Sequence, residues 1–323
     1  MAIPSDLSSR LKLPLLIAPM FLVSTVELVV AACRNGSIGS FPTANARTVG
    51  DLDACLERIS SLLTEDDAPW AANLVVHRSS DRLQQDLSLI EQYRAPLVIT
   101  ALGAPGEVID RIHAYGGRVL ADVNSLHHAR RAAAMGVDGL VLVASGAGGH
   151  TGQMTAFAMV PEIREFFDGM VVLGGGLSNG AGIRAAEVLG ADLASMGTRF
   201  IACPETMASD GYRQMLVESG IDDLILTKAI TGVSAYWLKK SLTAAGLDID
   251  ALEREVPIDF TDPKTGTRRW TQAWSAGHGV GAIKSVEPAQ VLLDRLKEEY
   301  WAAAHRRSGL NPLAETAKTP ASC

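Results

Sequence analysis

Between residues 15 and 221 the chain repeats one pattern eight times: a short aliphatic or β-branched run, then a longer stretch with helical spacing. The runs lie at 15–18, 37–41, 71–76, 97–101, 119–123, 140–144, 170–173 and 193–196. The helical stretches start near Thr25, Thr48, Ser79, Pro105, Ser125, Pro161, Asn179 and Glu205. Most open on a capping residue or proline, and several close on glycine, at Gly36, Gly136 and Gly190. Near-continuous apolar strands are the mark of parallel strands covered by helices on both faces. Eight such units over about 200 residues predict an α/β fold of the (β/α)8 TIM-barrel class. An open, doubly wound sheet is the alternative that periodicity alone does not separate from it.

Past Asp222 the alternation stops. The expected organisation is a barrel core at 1–221, a small helical and loop cap at 222–303 packing on the barrel mouth without a core of its own, and a tail at 304–323. The cap holds a helical stretch at 234–245, a segment rich in Asp, Pro and Lys, and the run WTQAWSAGHGVGA at 270–282.

A net charge of −7, with the basic pairs scattered, argues against a nucleic-acid partner. No run reaches the roughly 18 apolar residues of a membrane span. Arg10 and Lys12 precede an apolar stretch ending at Cys33, which imitates a lipoprotein signal, but Pro14, Pro19 and Glu27 interrupt it. Cys33, Cys55, Cys203 and Cys323 form no CxxC motif, so a reducing, cytoplasmic setting is expected. A homodimer is compatible with the sequence.

In a barrel of this kind the working residues follow the carboxyl ends of the strands, and a phosphate is often held after the seventh and eighth. The seventh run leads into GGGLSNG at 174–180 and then a helix, where bare amides and a helix N-terminus converge. The eighth leads into Met196, Gly197, Thr198 and Arg199, which add another bare amide, a hydroxyl and a cation. Tight turns use glycine for steric reasons too, but the pair of loops at the last two strand ends points to a phosphate-bearing ligand. Counting from Gly146, Gly174 and Gly277, the third position of G-x-G-x-x-G holds Thr151, Asn179 and Ala282, so a mononucleotide is expected and not a Rossmann dinucleotide.

The first strand ends in Ala18, Pro19 and Met20, placing a polarizable side chain at the mouth, where it either covers a flat ring or fills core space. Asn73 sits inside an apolar strand and needs a partner, either a ligand's ring edge or a neighbouring backbone. His113, His127, His128 and His305 fall on charged helices, and no pair has metal-ligand spacing. His150 differs. It lies in SGAGGHTG (145–152), just past a strand end, where it can exchange a proton near neutral pH.

Taken together, the APM at 18–20, Asn73, AGGHTG at 147–152, GGG at 174–176, MGTRF at 196–200, TGV at 231–233 and SAG at 275–277 resemble the nitronate monooxygenases, formerly 2-nitropropane dioxygenases. The resemblance runs from about Leu13 to Ala282. It implies a TIM barrel with noncovalent FMN: the phosphate on Gly175, Gly176, Gly197 and Thr198, the ring near Ala18, Met20 and Asn73, and Ala147, Gly148 and Gly149 passing close by. His150 matches the family's catalytic base. The implied reaction is oxidation of alkyl nitronates with O2 to carbonyl compounds and nitrite, extended to neutral nitroalkanes when His150 takes the α-proton. Two residues depart from the family pattern: Asp122 stands where several relatives place a lysine near the flavin pyrimidine, where an acid would disfavour the anionic reduced flavin unless it is turned away or neutralised, and His278 stands where a glutamine is common, either as a lid contact or as a second proton-transfer group. The competing expectations are an NAD(P)H-dependent flavin oxidoreductase of quinone reductase or enoyl-acyl carrier protein reductase type, a non-catalytic flavin-binding protein, and a flavin-free phosphate-binding barrel such as an aldolase.

Overall fold

The computed structural model describes residues 3–77, 81–253 and 273–305. The helix start expected at Ser79, Trp270 with most of the charged segment before it, and the end of the tail with Cys323 lie outside these residues.

Nine strands precede residue 197: β1 (Leu15–Ile17), β2 (Gly39–Pro42), β3 (Trp70–Val75), β4 (Leu97–Ala101), β5 (Arg118–Val123), β6 (Gly139–Val143), a two-residue β7 (Gly149–His150), β8 (Met170–Gly174) and β9 (Leu193–Met196). All but β7 form one parallel sheet in the order β1-β9-β8-β6-β5-β4-β3-β2. The ends meet where Leu16 pairs with Ile38, with the Ile17 amide donating to the Ile38 carbonyl at 2.8 Å and the Ile38 amide to that of Leu15 at 2.9 Å. This contact closes the sheet into the expected barrel, and the open-sheet alternative falls.

The helix ends follow the local chemistry. Thr25 accepts from the Leu28 amide, and Thr48 forms a capping box with Asp51. Ser125 and Asn179 cap the helices Leu126–Ala134 and Gly180–Leu189 in the same way. Two expected starts were displaced. The helix expected from Pro161 begins at Ala156, because the amide that proline lacks would have served the carbonyl of Phe157, a residue on the exposed face where water can take over. Glu205 opens no helix; its carboxylate accepts from the Ala289 amide at 3.0 Å, and Ser209 caps Asp210–Val217 instead.

The eighth outer helix comes from far along the chain. Ala289–Ala304 packs against Gly180–Leu189 and against Val26–Arg34, and its Ala289, Leu292, Leu293, Leu296 and Tyr300 join the large cluster between strands and helices. This helix belongs to the ring and not to the cap in which the sequence reading put it. Tertiary packing decides its place, since any amphipathic helix of this length meets the local rules.

A second cluster draws Leu16, Ala71, Leu97, Ile99, Leu120, Val141, Val172 and Leu193 from seven strands, and Ile38 from the bridge just before β2, into the lumen, with Leu7 of the N-terminal helix joining it. At the outer layer, Arg164 ties two loops: it donates to the carbonyls of Gly190 at 2.8 Å and Gly169 at 2.7 Å and pairs with the buried Asp192, which also accepts from the Val171 amide. Asp192→Asn is expected to cost about 2 kcal/mol, the scale of a charge-assisted bond at a buried site, read as a lower urea midpoint. A change within 0.5 kcal/mol, the range typical of plain surface substitutions, would mean that the ion pair contributes nothing.

Beyond the barrel, β10 (Leu224–Thr227) and β11 (Ala235–Leu238) pair antiparallel, and β11 also pairs with β7, setting Ala235 opposite His150 and Tyr236 opposite Gly149. This segment has an apolar cluster of its own, with Trp237 fully buried among Ile225, Ile230, Ala235, Leu242 and Leu252. The expectation of a cap without a core is corrected by that one aromatic, which supplies the area that a small cluster needs. Cys33 and Cys203 are buried, and burial pushes each thiol up to about 12. Among the described residues no helix is long and apolar enough to cross a membrane.

Candidate active site

Side chains alternate along a strand, so the residues two beyond the lumen cluster face the carboxyl-end mouth. From Leu16, Ala71, Leu120, Val141 and Val172 this gives Ala18, Asn73, Asp122, Val143 and Gly174. Two steps from Leu193 pass Ser195 and reach Gly197. The floor of the mouth is therefore small-sided, with an amide and a carboxyl as its polar side chains among these positions. The Asn73 amide nitrogen donates to the Ile99 carbonyl at 3.1 Å, so a neighbouring backbone supplies the partner its position called for.

Met20 lies over Gly197: a Cβ there would stand 3.3 Å from the sulfur and 3.4 Å from the Ala18 methyl. The turn carrying Met20 is held by Asn45, which accepts from the Leu22 amide at 2.8 Å and donates to the carbonyls of Met20 and Ser24 at 3.1 and 2.8 Å. Leu22 can then keep its left-handed φ of 57°. Nothing in the sequence marked Asn45, because its partners sit more than twenty residues upstream.

The glycine loops meet backbone to backbone. A Cβ on Gly148 would stand 2.7 Å from the Gly277 amide nitrogen and 2.9 Å from the Thr198 hydroxyl. The Gly277 amide donates to that hydroxyl at 2.9 Å, and the amides of Gly176 and His278 both donate to the Gly146 carbonyl, at 3.2 and 2.9 Å. Ala147 donates back to Ala144. Gly175, at φ 130°, presses so close to the carbonyls of Ala144 and Ser145 that a side chain would collide with both. The structure thus gathers the loops of 146–149, 174–176 and 197–198 beneath a strap at 275–279. Tyr212 stacks on Trp274 at 5.0 Å and donates to the Ser275 carbonyl, fixing the strap's start.

Two expectations about the anion end change. The start of helix Gly180–Leu189 is already occupied, its Gly180 amide by Glu299 at 2.8 Å and its Gly182 amide by Asn179 at 2.8 Å. A carboxylate of the chain itself takes the dipole's positive end. Arg199 is buried and turns back to the Ser178 carbonyl at 3.1 Å, bracing the loop from behind. What remains toward the mouth is backbone and the Thr198 hydroxyl, whose oxygen accepts from Gly277 while its proton stays available to another acceptor.

A cleft of about 410 Å3 is lined by His150, Asp122, Val143 and Val233, with Leu102, His128 and Arg131 among its other lining residues. Of the expected site residues only His150 faces it. Burial lowers the pKa of this imidazole, so it is neutral and able to accept a proton at pH 7. Asp122 is exposed to the cleft's solvent; the protein packed around its carboxyl desolvates it and pushes it up to about 7, an effect that the water reaching it diminishes. That push is fullest when a ligand replaces the cleft's water. His278 stands edge-on to Tyr236 at 4.6 Å, with its ring against Gly146, a packing contact between strap and loop.

Comparison with known proteins agrees with this geometry. The family model described as nitronate monooxygenase matches residues 6–247. A nitronate monooxygenase from Paraburkholderia phytofirmans is 30% identical, over 88% of this chain and 92% of its own length. Among solved structures, a nitroalkane oxidase from Streptomyces ansochromogenes superposes with a TM-score of 0.79 at 23% identity, covering 93% of this chain and 99% of that one. FabK from Thermotoga maritima does so at 0.76 and 23%, covering 94% and 97%, and these two likenesses carry the fold. With a family match over more than half of its length and a full-length relative at that identity, the chain is an oxidoreductase belonging to the nitronate monooxygenase family.

Proposed function

We propose that this protein is an FMN-dependent nitronate monooxygenase that converts alkyl nitronates, and neutral nitroalkanes, with O2 to carbonyl compounds and nitrite. The observation that carries the reading is a neutral, half-buried imidazole lining a cleft beside a floor too small-sided to fill itself. FMN suits that floor. The amides of Gly175 and Gly197 with the Thr198 hydroxyl would hold its phosphate, with Gly176, expected to share in this but with its amide already given to the Gly146 carbonyl, as the small-sided neighbour in that loop; Ala18, Met20 and Asn73 would border its ring, and Ala147, Gly148 and Gly149 would edge it. Its mononucleotide length suits a phosphate site made by backbone and one hydroxyl, with Gly197 and Thr198 opening the short helix Thr198–Ile201. Bound there, it supplies the electron acceptor between substrate and O2.

The chain's own chemistry is proton handling. With a nitroalkane, the α-carbon's C–H bond breaks, the proton goes to His150, and the electron pair moves onto a nitro oxygen to give the nitronate. With a preformed nitronate that step is absent. A binding protein needs no such base.

The test is spectroscopic. The purified protein is expected to be yellow, with oxidised-flavin bands and FMN released on denaturation. Mixed anaerobically, propyl-2-nitronate is expected to bleach it quickly and NADH slowly. Fast bleaching by NADH alone would instead assign a nicotinamide-using reductase, and a colourless protein would end the flavin reading.

A further inference from the structure

Asp122 is the one acidic side chain among those lining the His150 cleft. Its position follows from strand parity: two residues past the lumen residue Leu120 and opposite Val141 on β6, it is aimed into the mouth and not into the outer layer. Its carboxyl has no hydrogen bond or ion pair among the described residues. Such a group either stays hydrated or gives up its charge, and the raised affinity for a proton near neutrality favours the second once the cleft is filled. Two titratable groups in one cleft, pushed in opposite directions, make a pair with distinct roles, one accepting and one donating.

We infer that Asp122 is a further catalytic residue, facing the ligand head as an un-ionised carboxylic acid and donating a hydrogen bond to an oxygen of the nitro or nitronate group. The inference rests on the assignment of such a head to this cleft. When His150 takes the α-proton, charge accumulates on the nitro oxygens; a donor already aimed at them lowers the barrier without itself losing its proton. Above its midpoint, Asp122 becomes a carboxylate and repels the same oxygens. A lysine at this position would attract any anion over the whole range; the acid attracts one only while protonated.

The groups facing Asp122 across the cleft are His150 from β7 and His128 with Arg131 from helix Leu126–Ala134. The wall from Leu102 to Pro105, Val143 of β6 and Val233 bring no charge. A guanidinium adds no pH dependence; an imidazole can, so His128 and His150 each have a control.

The experiment uses the holoprotein and nitrate, a planar oxyanion that is not turned over, titrated calorimetrically between pH 5.5 and 8.5, together with infrared difference spectra over the same range. In the wild type, nitrate affinity is expected to fall about tenfold per pH unit above a midpoint near 7, in step with loss of the carbonyl stretch of a protonated carboxyl group. Asp122→Asn, which keeps a neutral donor of the same size, should bind nitrate with no such limb and lack the infrared band. His128→Gln and His150→Ala should keep both. A limb that persists in Asp122→Asn, or that disappears in His128→Gln, would overturn the assignment. The infrared band needs no variant, so its absence from wild type would overturn it as well. Turnover of propyl-2-nitronate is scored separately: a protein with the band and the limb but no turnover sinks the functional reading and leaves the protonated Asp122 standing.

Discussion

His150→Ala lowers nitrite release from a neutral nitroalkane such as nitroethane by roughly 10²–10⁴-fold, the range a positioned general base contributes, while release from ethyl nitronate changes by less than about tenfold. The contrast arises because only the neutral substrate has an α-proton to lose. The variant should keep its cofactor, since the loops expected to grip the phosphate stand at the ends of β8 and β9 and His150 stands on β7. The wild-type pH profile has a definite sign. Burial holds the imidazole below its ordinary pKa, so His150 makes the nitroalkane rate fall on the acid side, as the base is protonated, while loss of the Asp122 proton above a midpoint near 7 makes it fall on the alkaline side. Steady-state nitrite assays with both substrates check this. An equal loss with both would remove His150 as the base.

Gly180→Val is expected to destabilise the fold by at least about 3 kcal/mol, the upper range of overpacking. A Cβ at 180 would stand 2.2 Å from the Tyr300 amide nitrogen and 2.3 Å from the Leu296 carbonyl oxygen, and backbone cannot step aside as a flexible side chain can. The clash would separate helix Gly180–Leu189 from Ala289–Ala304 and break the Gly180 to Glu299 bond and the Tyr300 to Glu187 bond at 2.8 Å. Gly182→Ala is the matched control. Its Cβ would meet nothing nearer than the Asn179 side-chain Oδ1 at 3.4 Å, so relief of glycine's helix penalty should leave stability unchanged or raised by up to about 1 kcal/mol. Thermal unfolding of the two variants reads the difference; a Gly180→Val protein as stable as wild type would show that the helix pair is loosely packed.

Much of the barrel was legible because parallel strands buried on both faces leave short apolar runs that little else produces. All eight runs became barrel strands, with boundaries moved by at most two residues. His150 was legible for a local reason: glycines on both sides and a strand end just before it. The partners that place these groups were less visible. Arg199 follows a glycine loop and so looked like a phosphate ligand, yet its direction is set by Ser178, a contact that exists only after β8 and β9 lie side by side. Glu205 looked like the start of a helix and proved to be the cap of another one 84 residues later. Asp122 was noticed as a departure from a pattern; its raised proton affinity needed the cleft to be seen.

The late origin of the eighth ring helix sets an order of events during synthesis. A ribosome that has delivered the chain as far as β9 has made every barrel strand, but the faces of Val26–Arg34 and Gly180–Leu189 that Leu292, Leu293 and Leu296 will cover are still bare. They stay bare until about a hundred more residues have emerged, some seconds at ordinary elongation rates. During that interval the nascent barrel carries a sticky seam along one side, and a chaperone that shields aliphatic surface has its natural point of attachment there.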